Sequence, residues 1–154
     1  MLKITLFLHL LAALFWVGGM LFLVLIIGPF LMTIEPRERS RVYQFVGQKY
    51  RRLGWIAIIT LLVTGMLNLY YLGISLSSIG NSTFLSAPYG RTLLIKLILV
   101  TIIIISSLIH DFYLGPKARS DRRYSHLART LGRGNLFIAI LIALFAVFLR
   151  LGGI

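Results

Sequence analysis

Four long apolar runs, Ile4–Leu31, Leu53–Leu72, Thr92–Ile109 and Leu136–Leu149, leave this chain little choice of solvent. A helix needs about 20 mainly apolar residues, at 1.5 Å each, to cross the hydrocarbon core of a bilayer. The third and fourth runs reach that length by taking in Tyr89–Arg91 and Arg150–Ile154 at their ends. Lipid supplies no water to satisfy backbone N–H and C=O groups, so each run is expected as a helix. The predicted spans are about 4–33, 53–74, 89–113 and 134–153. The expected fold is therefore all-α: an integral membrane four-transmembrane-helix bundle, one domain over residues 1–154, with cytoplasmic helical extensions. Apolar residues make up 58% of the chain, against about 45–50% in soluble domains, which argues against a soluble module.

Charge sets an expected orientation. Of sixteen Lys and Arg residues, twelve fall in two segments: Arg37, Arg39, Arg41, Lys49, Arg51 and Arg52, then Lys117, Arg119, Arg122, Arg123, Arg129 and Arg133. The four acids, Glu35, Glu38, Asp111 and Asp121, lie on the same side. By the positive-inside rule these segments are cytoplasmic, and both termini and the loop Gly73–Pro88 face outward. Apolar residues recur at helical spacing within both, at Val42, Phe45, Val46 and Leu53, and at Tyr124, Leu127, Ala128 and Leu131. The second and fourth helices are thus expected to continue into them. Their charge suits anionic lipid headgroups as partner. Nucleic acid is not expected, because aromatic residues do not interleave with the basic ones as in single-strand stacking platforms. Gly115–Pro116 is expected to break the third helix and Gly132–Arg133–Gly134 to bend the fourth. No internal repeat of useful length is visible.

Two ionisable residues lie inside the apolar runs, His9 in the first and Lys96 in the third. A charged side chain at mid-bilayer costs roughly 2.5–3.5 kcal/mol on insertion scales, so such residues are usually paired or functional. Counted from their helix starts at 1.5 Å per residue, both lie roughly 8–10 Å below the outer end. Asn68, Tyr71 and Arg150 belong to the same outer layer, and Arg91 lies just above Lys96. Trp16 and Met20 share the helical face of His9, with Ala13 as a small residue beside them. Thr60, Thr64 and Asn68 form a polar stripe on the second helix, readable as packing. His110, beside Asp111, is about 21 Å further along its helix than Lys96, so it cannot share a ligand with His9.

Other chemistry is excluded. With no cysteine there are no disulfides, thiolate metal sites or iron–sulfur clusters. There is no nucleophile elbow, phosphate-binding glycine loop or His-Glu-x-x-His. No signal peptide is evident, since the first run exceeds an h-region of about 7–15 residues.

Three motifs carry a resemblance. The segment His9-Leu10-Leu11-Ala12-Ala13-Leu14-Phe15-Trp16-Val17-Gly18-Gly19-Met20 resembles the opening helix of the copper resistance protein D (CopD) family. Tyr89-Gly90-Arg91-Thr92-Leu93-Leu94-Ile95-Lys96-Leu97 resembles that family's third-helix motif, and Thr64-Gly65 followed by Asn68 its second. The resemblance implies copper binding or transport in a bacterial or archaeal inner or plasma membrane, through His9 and Lys96. Trp16, Asn68, Tyr71, Arg91 and Arg150 would lie around that site. Imidazole and thioether suit copper, which adds Met20 and Met66 as metal-ligand candidates. Met20 lies roughly 16 Å along the helix from His9, a separate step rather than a shared ligand. The layout is also similar to HemJ-type protoporphyrinogen oxidases, which implies haem b with His9 as axial ligand and, with haem, oxidoreductase activity. Gly134-Asn135-Leu136 stands where those proteins carry Asn-Glu-x-Pro. A third reading is a non-catalytic accessory subunit of a larger membrane complex, and a homodimer suits any of the three.

Overall fold

The computed structural model describes residues 1–118 and 121–154; Arg119, one of the twelve clustered basic residues, lies outside the described residues. Every regular element among them is helical. Four helices are long and apolar enough to cross a membrane, as the apolar runs require, and the chain is an integral membrane protein. It divides into two compact units, Met1–Ile74 and Ser75–Ile154, each built on a pair of long helices.

In the first unit α1 (Leu2–Phe22) passes through a π-helical segment, Leu23–Ile27, into α2 (Gly28–Thr33). The chain turns at Ile34–Glu35 and returns as α3 (Pro36–Tyr71). Pro36 opens α3 at a position where a missing N–H costs nothing. The basic segment is therefore the first half of one helix of 36 residues. In the second unit the short helices α4 (Leu76–Ile79) and α5 (Ser82–Ser86) precede α6 (Pro88–Leu108). A π-helical segment, Ile109–Leu114, leads into α7 (Gly115–Lys117), and α8 (Arg122–Arg150) returns.

One expectation about helix breakers is corrected. Gly115–Pro116 does not end its helix, which continues to Lys117. A proline in a helix lacks a donor and collides with the carbonyl four residues back. The π-helical turn removes the conflict by widening the helix just before the proline, so that the Gly115 N–H reaches back to the His110 carbonyl. The first unit does the same at Gly28–Pro29, where the Gly28 N–H reaches Leu23. Gly132 and Gly134 do not interrupt α8. One isolated glycine in a helix costs only about 1 kcal/mol against alanine, which the rest of a long apolar helix offsets.

The two units also repeat one design that identity alone hides. At one constant offset, Thr5, Leu6, Leu10, Leu21, Gly28 and Pro29 of the first unit match Thr92, Leu93, Leu97, Leu108, Gly115 and Pro116 of the second. His9 then coincides with Lys96, Trp16 with Ile103, and the two π-helical segments with each other. Both return helices end alike. Gly73, at φ +74°, lets the Ile74 N–H bond Leu69 and its own N–H bond Tyr70. Gly152, at φ +100°, does the same, with the Gly153 N–H on Phe148 and its own on Leu149. This is the left-handed glycine cap of a helix C-terminus.

Within each unit the helices meet along a seam of alternating four- and three-residue steps, the spacing of antiparallel helices crossing at a shallow angle. In α1 it runs Thr5, His9, Ala12, Trp16, Gly19, with Ala12 and Trp16 buried. Ala12, rather than Ala13, is thus the buried small residue on the His9 face. The opposing α3 contributes Gly54, Ala57, Thr64 and Asn68, all buried. Trp16 sits over Gly54, and the Tyr50 ring fills the notch at Gly19, donating its hydroxyl to the Trp16 carbonyl at 2.6 Å. In the second unit the buried seam residues include Thr92, Ile103 and Ser107 on α6, with Asn135 and Ala139 on α8.

Candidate functional site

The first unit places a histidine inside its helix pair and holds its ring by a hydrogen bond. His9 Nδ1 lies 2.8 Å from Thr64 Oγ1. That hydroxyl has a single hydrogen, and it is donated back along α3 to the Thr60 carbonyl at 2.6 Å. The Thr64 hydroxyl thus ties the His9 ring to the backbone of α3. A ring nitrogen held by a second group is the arrangement that orients metal-binding histidines. Gly65 completes the seat: a β-carbon there would lie 3.4 Å from His9 Cε1, close enough to press on the ring. The Thr60–Thr64–Asn68 stripe was readable as packing; the structure gives Thr64 this further contact.

One turn toward Met1, Thr5 donates to Asn68 Oδ1 at 2.6 Å, and Asn68 is buried. Sequence reading did not single out Thr5. Its signal was the seven-residue step of Thr64–Tyr71 and the four-residue steps of Thr60, Thr64 and Asn68, which required polar partners opposite. Tyr71 stands at the end of α3, 41% exposed, its ring edge-on to Tyr70. Trp16 is buried two turns below His9. Met20 is half-buried on α1. Met66 is 67% exposed, and at 100° per residue it points about 200° away from Thr64 around α3. Neither thioether is part of the His9–Thr64 contact.

The second unit holds the other candidates. Lys96 is half-buried on α6, one turn beyond Thr92, while Arg91 and Arg150 are exposed. Thr92, fully buried, donates to the Pro88 carbonyl at 2.8 Å and accepts from the Ile154 N–H at 2.9 Å. Further along, Ser106 donates to Asn135 Oδ1 at 2.5 Å, and Asn135 Nδ2 faces Ser107 at 3.4 Å. His110 Nδ1 pairs with Asp111 at 2.8 Å, with Nε2 toward Gly132. Sequence reading noticed His110 and Asp111 but not the serine–asparagine group, because serines in an apolar run read as ordinary helix residues. Among the described residues no three His, Cys, Asp or Glu side chains are grouped to hold a metal ion. His110, Asp111 and His126 therefore do not form a metal cage.

These features describe a polytopic membrane protein with an oriented histidine inside one helix pair. The model of the family "Copper resistance protein D" matches residues 45–149, and the chain belongs to the copper resistance protein D family. The match takes in Thr64, Asn68 and Lys96 and begins beyond α1, which carries His9. The chain is also similar to an uncharacterized protein of Aquifex aeolicus (strain VF5), 32% identical over 151 residues, covering 97% of this chain and 96% of that one. No solved structure matches it.

Proposed function

We propose that this protein binds copper within the membrane and passes it across, with His9 as the coordinating residue. The observation that carries the reading is the chain of two hydrogen bonds from His9 through Thr64 to the Thr60 carbonyl. It supplies what a metal-binding imidazole needs, a second group that holds and orients the ring. Family membership supports copper as the ion. Imidazole and thioether are both suited to it, so Met20 and Met66 serve as stations before or after His9. Lys96 stands at the equivalent position of the second unit. The basic segments lie on the cytoplasmic side and both termini outside, consistent with their share of positive charge.

The test is metal analysis of the purified protein after loading with Cu(I), together with a reduced-minus-oxidised absorption spectrum of the same sample. Copper retained by wild type and lost from His9→Ala is the expected result. A Soret band with α-band absorption would replace copper with haem b as the bound group. Neither copper nor a chromophore would leave a helix-packing accessory subunit.

A further inference from the structure

The second unit carries an apolar groove of about 430 Å³, lined by Leu114, Leu127, Thr130, Leu131 and Gly134. That volume falls in the range of about 300–1,000 Å³ usual for small-molecule sites. On α8 the four lining residues share one face, Thr130, Leu131 and Gly134 following Leu127 by three, four and seven positions. Gly134 leaves the inner end of that face without a side chain. At the other end, one turn beyond Leu114 and one turn before Leu127, stand Lys117 and Arg123. The Lys117 ammonium lies 3.7 Å from the Tyr113 ring centre and 5.2 Å from that of Tyr124, and the two rings meet edge to face. Tyrosine and lysine together mark the depth at which a bilayer changes from hydrocarbon to headgroup. The groove thus runs from a cationic, aromatic rim into the apolar span. Asp121 is the one carboxylate at that rim by sequence, and it is engaged as the cap of α8, accepting from the Arg123 N–H at 2.8 Å.

From this we infer that the groove is a binding site for one anionic phospholipid, with an acyl chain along Leu127, Leu131 and Gly134 and the phosphate beside Lys117 and Arg123. The charge complementarity selects the occupant. A zwitterionic lipid would fill the same groove but bring a cation to a cationic rim, and a soluble anion would leave the apolar part wet. This narrows the general attraction of basic juxtamembrane segments for anionic headgroups to a single defined seat. It is independent of what His9 binds.

The experiment is native mass spectrometry of the full chain, released from bilayer discs containing equal phosphatidylglycerol and phosphatidylcholine of matched chain length. Wild type is expected to keep one phosphatidylglycerol at least 5-fold more often than phosphatidylcholine. A side chain at Gly134 has open space around its β-carbon, so Gly134→Leu fills the groove without disturbing the helix. It is expected to lower the retained lipid at least 5-fold at unchanged helicity by circular dichroism. The double variant Lys117→Gln, Arg123→Gln is expected to keep a lipid but lose the preference between the two. Equal retention of both lipids by wild type, or undiminished phosphatidylglycerol on Gly134→Leu, overturns the assignment. So does a wild-type dimer that Gly134→Leu converts to monomer, which would make a second copy of the chain the occupant.

Discussion

In the first hairpin the polar contacts gather near Met1, where Thr5 meets Asn68 and His9 meets Thr64. Its Gly-Pro end is closed by Trp16, Gly19 and Tyr50. In the second hairpin the corresponding seam is polar at both ends. Thr92 still holds the return segment, but Ser106 and Ser107 stand where the first hairpin has Gly19 and Met20, with Asn135 bonded to them, and His110–Asp111 occupies the π-helical turn. The two frames agree in turn, cap and seam, so the frame does not depend on the identity of the polar groups it carries. In lipid there is little hydrophobic force between helices, and packing of small residues does most of the holding. That leaves such positions free to vary, and the first hairpin carries a histidine where the second carries a lysine.

The largest expected effect breaks this symmetry outright. His9→Ala is expected to lower copper retention by more than 100-fold, measured by metal analysis at matched protein concentration, while His110→Ala leaves it unchanged. Equal loss in both variants would mean that the hairpins share the task. Thr64→Val removes the hydrogen-bond partner of His9 while preserving shape, and outer-shell substitutions of this kind typically weaken metal affinity by about 10–100-fold. Thr64→Ser is expected to restore it, measured as copper affinity by competition with a chelator; a Thr64→Val variant of wild-type affinity would refute the orienting role.

Two further effects sharpen the comparison through stability. Lys3 of the first hairpin corresponds to Gly90 of the second, where α5 packs so closely that a β-carbon would strike the Phe84 carbonyl. Gly90→Ala is expected to destabilise the second hairpin by about 1–3 kcal/mol, the usual penalty of overpacking. Gly18→Ala, with nothing within 4 Å, is expected to leave the first unchanged, both read by thermal unfolding in detergent. Smallest is Asn135→Leu, which unties Ser106 and Ser107; polar contacts between membrane helices average about 0.6 kcal/mol. The same substitution at Asn68, which unties Thr5, is expected to cost a similar amount, and a much larger value at either site would give that hairpin's polar group a structural role the other lacks.

The helices were legible because a bilayer makes length and hydropathy decisive: Leu2–Thr33 and Pro36–Tyr71 follow from runs of apolar residues and from Pro36. His9, Lys96 and Asn68 were legible as exceptions to those runs. What was not legible was rotation. An α1 apolar on nearly every face gives no direction to its packing side, so Thr5, Ala12 and the Tyr50 contact at Gly19 appear only with α3 in place. Thr60, Thr64 and Asn68 did reveal the packing face of α3, because polar residues in lipid have a reason to turn inward. The repeat was hidden for the same reason: apolar residues exchange freely at lipid-facing positions, and little beyond Thr5-Leu6 and Gly28-Pro29 survives as identity with the second hairpin.

Each π-helical turn holds one residue more than an α-helix of the same height would. In the first unit that surplus residue lies between Trp16, buried on one side of the turn, and Leu31, 3% exposed on the other. Deleting one residue of Leu23–Ile27 would restore ordinary helix of the same height and leave Leu31 facing as it does, whereas the same extra residue in an uninterrupted α-helix would turn everything beyond by about 100°. The turn therefore works as a phase adjuster. It lets the chain reversal and the histidine seat be set independently, so that a length change on one side of the membrane need not travel to the other.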